Sequence, residues 1–97
     1  MRFTWDENKN AANIAKHALD FTDAPRLFDY ALLCAQDERE DYAETRSIAI
    51  LMLDGRVLVV VYTEPDDLTV RIISLRKALS QERRHYENYL KDQLGEG

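Results

Sequence analysis

The sequence predicts a single α+β domain over residues 1–97, with two N-terminal helices, a four-stranded antiparallel sheet and a C-terminal helix. Three observations carry that expectation. Apolar residues recur at helical spacing up to about residue 28; from residue 31 the pattern becomes short runs rich in Val, Ile, Leu and Tyr between turn-forming residues; and a charged segment from residue 80 again places its large side chains at helical spacing. Elements segregated by type in this way belong to α+β folds rather than to alternating α/β ones. Three glycines and two prolines are too few to make a linker, and 97 residues can bury one core.

Asp6 is placed to cap a helix over residues 7–17, in which Ala11, Ile14, Ala15 and Ala18 form an apolar stripe expected to face the core. At about 100° per residue, Lys9, Asn13, Lys16 and His17 share an arc on the opposite side. Thr22 offers the N-cap of a short second helix; Pro25 suits its first turn, and Ala24, Leu27 and Phe28 supply the buried side. Strands are expected at residues 31–36, 45–53, 57–63 and 68–75. Asp54-Gly55 reads as a two-residue hairpin turn and Glu64-Pro65-Asp66-Asp67 as the next turn, so the last three strands form a meander. Residues 48–53 and 57–61 are apolar at both parities, which marks those strands as central and covered on each face. Ser80 is placed to cap a last helix running to about residue 93, with Glu82 in its first turn and Tyr86, Tyr89 and Leu90 along one side.

Composition narrows the function classes. Cys34 is the only cysteine and lies in an apolar run, so it reads as a core residue and no internal disulfide or cysteine-based zinc site can form. No stretch approaches the roughly 18 apolar residues of a membrane span, and the first residues lack the apolar run of a secretory signal, so the expected location is cytoplasmic. The net charge of −5 argues against a general nucleic-acid coat. That charge is uneven, however: residues 31–54 carry −4, whereas residues 71–85 carry five basic side chains against the single acid Glu82. The acidic cluster runs from Asp37 to Asp41, flanked by Tyr42 and Glu44.

The basic segment is where chemistry is expected. Arg71 stands among Val70, Ile72 and Ile73, where a guanidinium needs a carboxylate such as Glu44, a phosphate or solvent. Arg76 and Lys77 follow at a strand-to-helix junction. Arg71 and Arg76 are five apart, so an unbroken strand turns them to opposite faces, and they converge only if the chain bends after Ser74 or Leu75. His17 is suited both to proton transfer and to favouring a helix C-terminus; His85, in a charged run, reads as a solvated position. Two histidines far apart in sequence give no metal site, and neither a glycine-rich phosphate loop nor a Gly-x-Ser-x-Gly elbow is present.

These residues together resemble a known family. Phe3-Thr4-Trp5-Asp6 with Lys9, then Asn13 and Lys16-His17, Phe21, Phe28-Asp29, Glu44 and Arg46, Arg71-Ile72-Ile73-Ser74 with Arg76-Lys77-Ala78, and Glu82-Arg83 with Tyr86 look like the BrnT toxins, in the right order over about residues 3–86. The family pattern usually has Gly where this chain has Ala18 and Ala where it has Leu75.

The resemblance implies a ribonuclease toxin of a type II toxin–antitoxin system with a RelE-like fold. It also implies a BrnA-like ribbon-helix-helix antitoxin as partner, and contact with operator DNA only through that antitoxin. The corresponding chemistry needs no cofactor or metal: attack of a ribose 2′-OH on the adjacent phosphate, inhibiting translation by RNA cleavage. Arg71 and Arg76 are then expected on the phosphate, with Lys9, Lys16 and Lys77 as secondary contacts. His17 is the first candidate for proton transfer and Glu82 the second. Tyr86 either holds a base or a phosphate oxygen or packs in the core, and Trp5 either stacks on a nucleobase or anchors the core. The competing expectation is a catalytically inactive module that acts with its antitoxin as operon corepressor.

Overall fold

The computed structural model describes residues 1–36, 46–53 and 55–93, with backbone alone at 30–36, 53, 90, 92 and 93. The elements are β1 (Arg2–Thr4), α1 (Glu7–His17), a 3₁₀ turn (Phe21–Asp23), α2 (Ala24–Leu27), a second 3₁₀ turn (Phe28–Tyr30), β2 (Ala31–Gln36), β3 (Ser47–Leu53), β4 (Arg56–Asp66), β5 (Thr69–Lys77) and α3 (Ser80–Gln93). The acidic cluster, Glu44, the Asp54 half of the hairpin turn and the Cys34 side chain lie outside what is described.

The sheet has five strands in the order β1-β5-β4-β3-β2, not four, and it is mixed. β3 to β5 form the expected antiparallel meander, and β2 pairs antiparallel with β3. The fifth strand is β1, which pairs parallel with β5 through Arg2 with Thr69, Phe3 with Val70 and Thr4 with Arg71. Three residues are too few to show a two-residue alternation, and the partner strand lies far along the chain, so no local pattern announces it. The turn after β4 also sits later than expected: β4 runs through Pro65, and Asp66 accepts hydrogen bonds from the Leu68 N–H (2.8 Å) and the Thr69 hydroxyl (3.1 Å).

Both faces of the sheet are covered, as the doubly apolar central strands require. One face packs Ala49, Leu51, Leu58, Val60, Tyr62, Val70, Ile72 and Leu75 against Phe21, Ala24 and Leu27, with Phe3, Trp5, Leu19 and Phe28 closing the margin. Phe28 meets the Tyr62 ring edge-on at 5.1 Å. The other face gathers Ile48, Ile50, Val57, Val59, Val61 and Ile73 under Tyr86 and Ala78.

Helix α1 has the expected bounds, with the Asp6 carboxylate accepting from the Asn8 and Lys9 N–H groups, but the opposite side faces in. Ala11, Ile14, Ala15 and Ala18 are exposed, Ile14 to 41 %, while Asn10 and Asn13 are buried. The cause is the sheet edge. β1 covers only Thr69 to Arg71 of β5, so the outer edge beyond needs donors and acceptors that alanines lack. Asn13 supplies them: its Nδ2 donates to the Leu75 carbonyl (2.8 Å) and the Leu19 carbonyl (2.9 Å), and its Oδ1 accepts the Leu75 N–H (3.2 Å). Asn10 accepts the Phe21 N–H and donates to Asp20.

Two caps differ from expectation by local hydrogen bonding. Asp20 rather than Thr22 caps the turn that leads into α2, accepting the Thr22 N–H at 2.9 Å. Ser80 is the first residue of α3 rather than its cap; Leu79 precedes it, and its N–H is accepted by Glu82 Oε1 at 2.8 Å, the reach-back half of a capping box.

Candidate functional site

The two arginines of β5 reach one face by a route other than a bend. Opposite β4, Ser74 pairs with Val61 and Ile72 with Tyr62, leaving Ile73 as an extra residue, a β-bulge. The bulge resets parity. Arg71 is opposite Thr63 and Arg76 opposite Val59, two β4 residues four apart, and Val59 belongs to the face under α3. Arg71 and Arg76 therefore share that face, about 13 Å apart along the strand.

Their environments differ. Arg71 is half-buried and has no ion-pair or hydrogen-bond partner among the described residues. Directly across from it, Thr63 is 3 % exposed and its hydroxyl has no hydrogen-bond partner among the described residues. An unpaired, half-buried guanidinium can take an anion from solution, whereas the Thr63 hydroxyl is sealed beneath it. Arg76 instead forks onto Glu82, with Nη1 at 2.7 Å and Nη2 at 2.9 Å, and Nη1 also reaches the Lys77 carbonyl at 3.4 Å. That leaves Arg76 its Nε–H and one Nη2–H. Glu82 takes the Arg76 fork on both oxygens and the Leu79 N–H as well, so its placement is that of a holder for Arg76 at the start of α3.

His17 closes α1, within reach of the Arg76 charge. Burial, with the charges of Lys16 and Arg76 adding to it, holds its imidazole below the ordinary 6.5, so it is neutral at pH 7. The helix dipole alone would push the other way. Lys9 and Lys16 are exposed. Around α1, Asn10 lies about 60° from Asn13 on the side of Asp20 and Phe21, and the two lysines lie about 40° and 60° to its other side, toward the α3-covered face. Lys77 is opposite Leu58 and so has left that face at the strand end.

Two sequence candidates are placed in cores. Tyr86 is 1 % exposed and plugs the α3 face, where burial raises its phenol above the ordinary 10.0; it cannot touch a substrate. Trp5 is half-buried, packs edge-on against Phe21 at 6.5 Å and donates Nε1–H to Glu7 at 2.8 Å, which is the anchoring arrangement. Sequence reasoning missed Thr63, whose run of apolar neighbours gives no hint of an orphaned hydroxyl, and Asn13, whose amide sets the α1–β5 junction. His85 is exposed, as expected. Among the described residues no three His, Cys, Asp or Glu side chains group as metal ligands, and no helix is long and apolar enough to cross a membrane.

Fold and site together define a small α+β protein that carries two arginines of β5 on the sheet face covered by α3. The chain belongs to the BrnT family: the family model described as ribonuclease toxin, BrnT, of type II toxin–antitoxin system matches residues 5–82. Among solved structures it is similar to the Brucella abortus ribonuclease toxin BrnT, with 32 % identity and a TM-score of 0.64 over 82 % of this chain and 99 % of that one. No curated protein matches.

Proposed function

We propose that the chain is a metal-independent endoribonuclease toxin of RelE-like fold that inhibits translation by RNA cleavage and is neutralised by a BrnA-like ribbon-helix-helix antitoxin, through which alone it meets operator DNA. The observation that carries this reading is the placement of Arg71 and Arg76 on one sheet face, with a neutral histidine within reach of the Arg76 charge. The scissile phosphate lies between the arginines. His17 accepts the 2′-OH proton as the 2′-oxygen attacks phosphorus; the P–O5′ bond breaks and the 5′-oxygen takes a proton from water, giving a 2′,3′-cyclic phosphate and a 5′-OH end. The guanidiniums meet the charge that builds on the non-bridging oxygens. Glu82 orients Arg76, and Lys9 and Lys16 line the approach of the strand.

The test is cleavage of RNA by purified protein in EDTA. Arg71→Ala and Arg76→Ala are each expected to lower the rate by about 10²- to 10³-fold, the scale for removing one preorganised charge donor. Cleavage undiminished by both removes the assignment. Normal growth of a host expressing the protein alone, with tight antitoxin binding, favours the corepressor module instead.

A further inference from the structure

Three cations outside the Arg71–Arg76 face converge on a second concavity. Arg56 opens β4, Lys77 closes β5 and Arg83 lies near the start of α3; with Gly55, Val57 and Ala78 they line a pocket of about 190 Å³. The strand ends that frame it are tied by the Ala78 N–H to Val57 carbonyl bond at 2.9 Å. Among the described residues no acid lines it. Arg83 touches Glu87 at 3.2 Å, but their side chains are 56 % and 53 % exposed, so solvent screens the pair and the guanidinium is readily recruited elsewhere. The Arg56 and Lys77 side chains have no ion-pair partner among the described residues. In a chain of net charge −5, three cations brought together from three elements around one hollow stand against the general trend.

We propose that this pocket holds a second phosphodiester of the same RNA strand, so that the substrate is gripped at the Arg71–Arg76 face and again round the end of β5. The inference rests on the ribonuclease reading. Continuity favours RNA as the occupant: Lys77, which lines the pocket, directly follows Arg76 in β5, so the two groups of cations are adjacent along one strand. Contacts of this kind fix the register of the strand without reading its sequence.

The test uses purified protein and a 2′-O-methylated oligoribonucleotide, which keeps its phosphates but lacks the attacking hydroxyl. Fluorescence anisotropy is followed against salt concentration. Arg56→Ala and Arg83→Ala are each expected to reduce the slope of log K against log salt by about 0.7, the increment for one phosphate contact to a single strand, and Arg83→Lys to retain it. Equal melting temperatures establish that the variants are folded. An unchanged slope in both alanine variants overturns the second site while leaving the ribonuclease reading intact. The same unchanged slope with weakened antitoxin binding assigns the pocket to carboxylates of the partner and also overturns it. Failure of the unaltered protein to bind the probe overturns both readings.

Discussion

Replacing Ala18 by glycine is expected to stabilise the protein. Ala18 ends α1 in the left-handed region, φ 59° and ψ 30°, with its N–H on the Ile14 carbonyl at 2.8 Å. An L-residue pays roughly 1–2 kcal/mol there because Cβ crowds its own backbone. Glycine removes that strain, but it adds about 0.4–1 kcal/mol of unfolded-chain entropy. The side chain is exposed, so its removal forfeits no packing. The balance is a gain of about 0.5–1 kcal/mol, which for a chain of this size raises the melting temperature by about 2–8 °C. Thermal melts followed by far-UV circular dichroism at one pH give the number directly. The control is Ala15→Gly, an exposed position inside the same helix, expected to lose about 1 kcal/mol. If both glycines destabilise alike, Ala18 is not left-handed in solution and the argument for the turn after His17 fails.

Further outcomes follow from the same geometry. Asn13→Ala leaves the Leu75 N–H and two carbonyls unpaired at a buried edge and should cost about 2–4 kcal/mol, read by denaturant titration; a loss below about 1 kcal/mol would mean that water replaces the amide. Thr63→Val removes a buried hydroxyl with no partner among the described residues, so stability should rise by about 1 kcal/mol in a denaturant titration; a loss of stability would mean that the hydroxyl is paired in solution. His17 titrates below 6.5, so cleavage should be level around pH 7 and drop only as the pH falls through that lowered value, an acid limb absent in His17→Gln. The sign for stability is the same: the unfolded chain takes up the His17 proton more readily, so acidification over that range weakens the fold, and His17→Gln should flatten this part of the stability–pH curve.

Much of the fold was readable because its signals are local. Asp6 fixed the start of α1, the doubly apolar runs fixed β3 and β4 as central strands, and the turn residues fixed the meander. What escaped was set by partners distant in sequence. β1 exists because β5 offers an edge, and α1 turned inside out because the same edge demands amides; a hydrophobic-stripe argument weighs four small side chains and ignores unpaired backbone groups. The site was legible in composition but not in geometry. Arg71, Arg76 and His17 stood out as residue types, whereas the common face of the two arginines depends on one bulge, and the orphaned Thr63 hydroxyl becomes visible only when its neighbours are known. Glu82 was legible as a first-turn acid; that its two oxygens are committed to Arg76 was not.

The extra residue at Ile73 works as a phase shift. Two-residue periodicity runs into β5 from both ends, out of step by one, and the face shared by Arg71 and Arg76 lies across the seam. Deleting that one residue would give a regular ladder in which Arg71 and Arg76 stand four apart and keep their common face. Pairing the full-length segment without the bulge would instead send Leu75 toward α3 and Arg76 into the aromatic layer beside Phe21. A relative that kept every residue of the segment but paired it regularly would keep the ingredients and lose the arrangement.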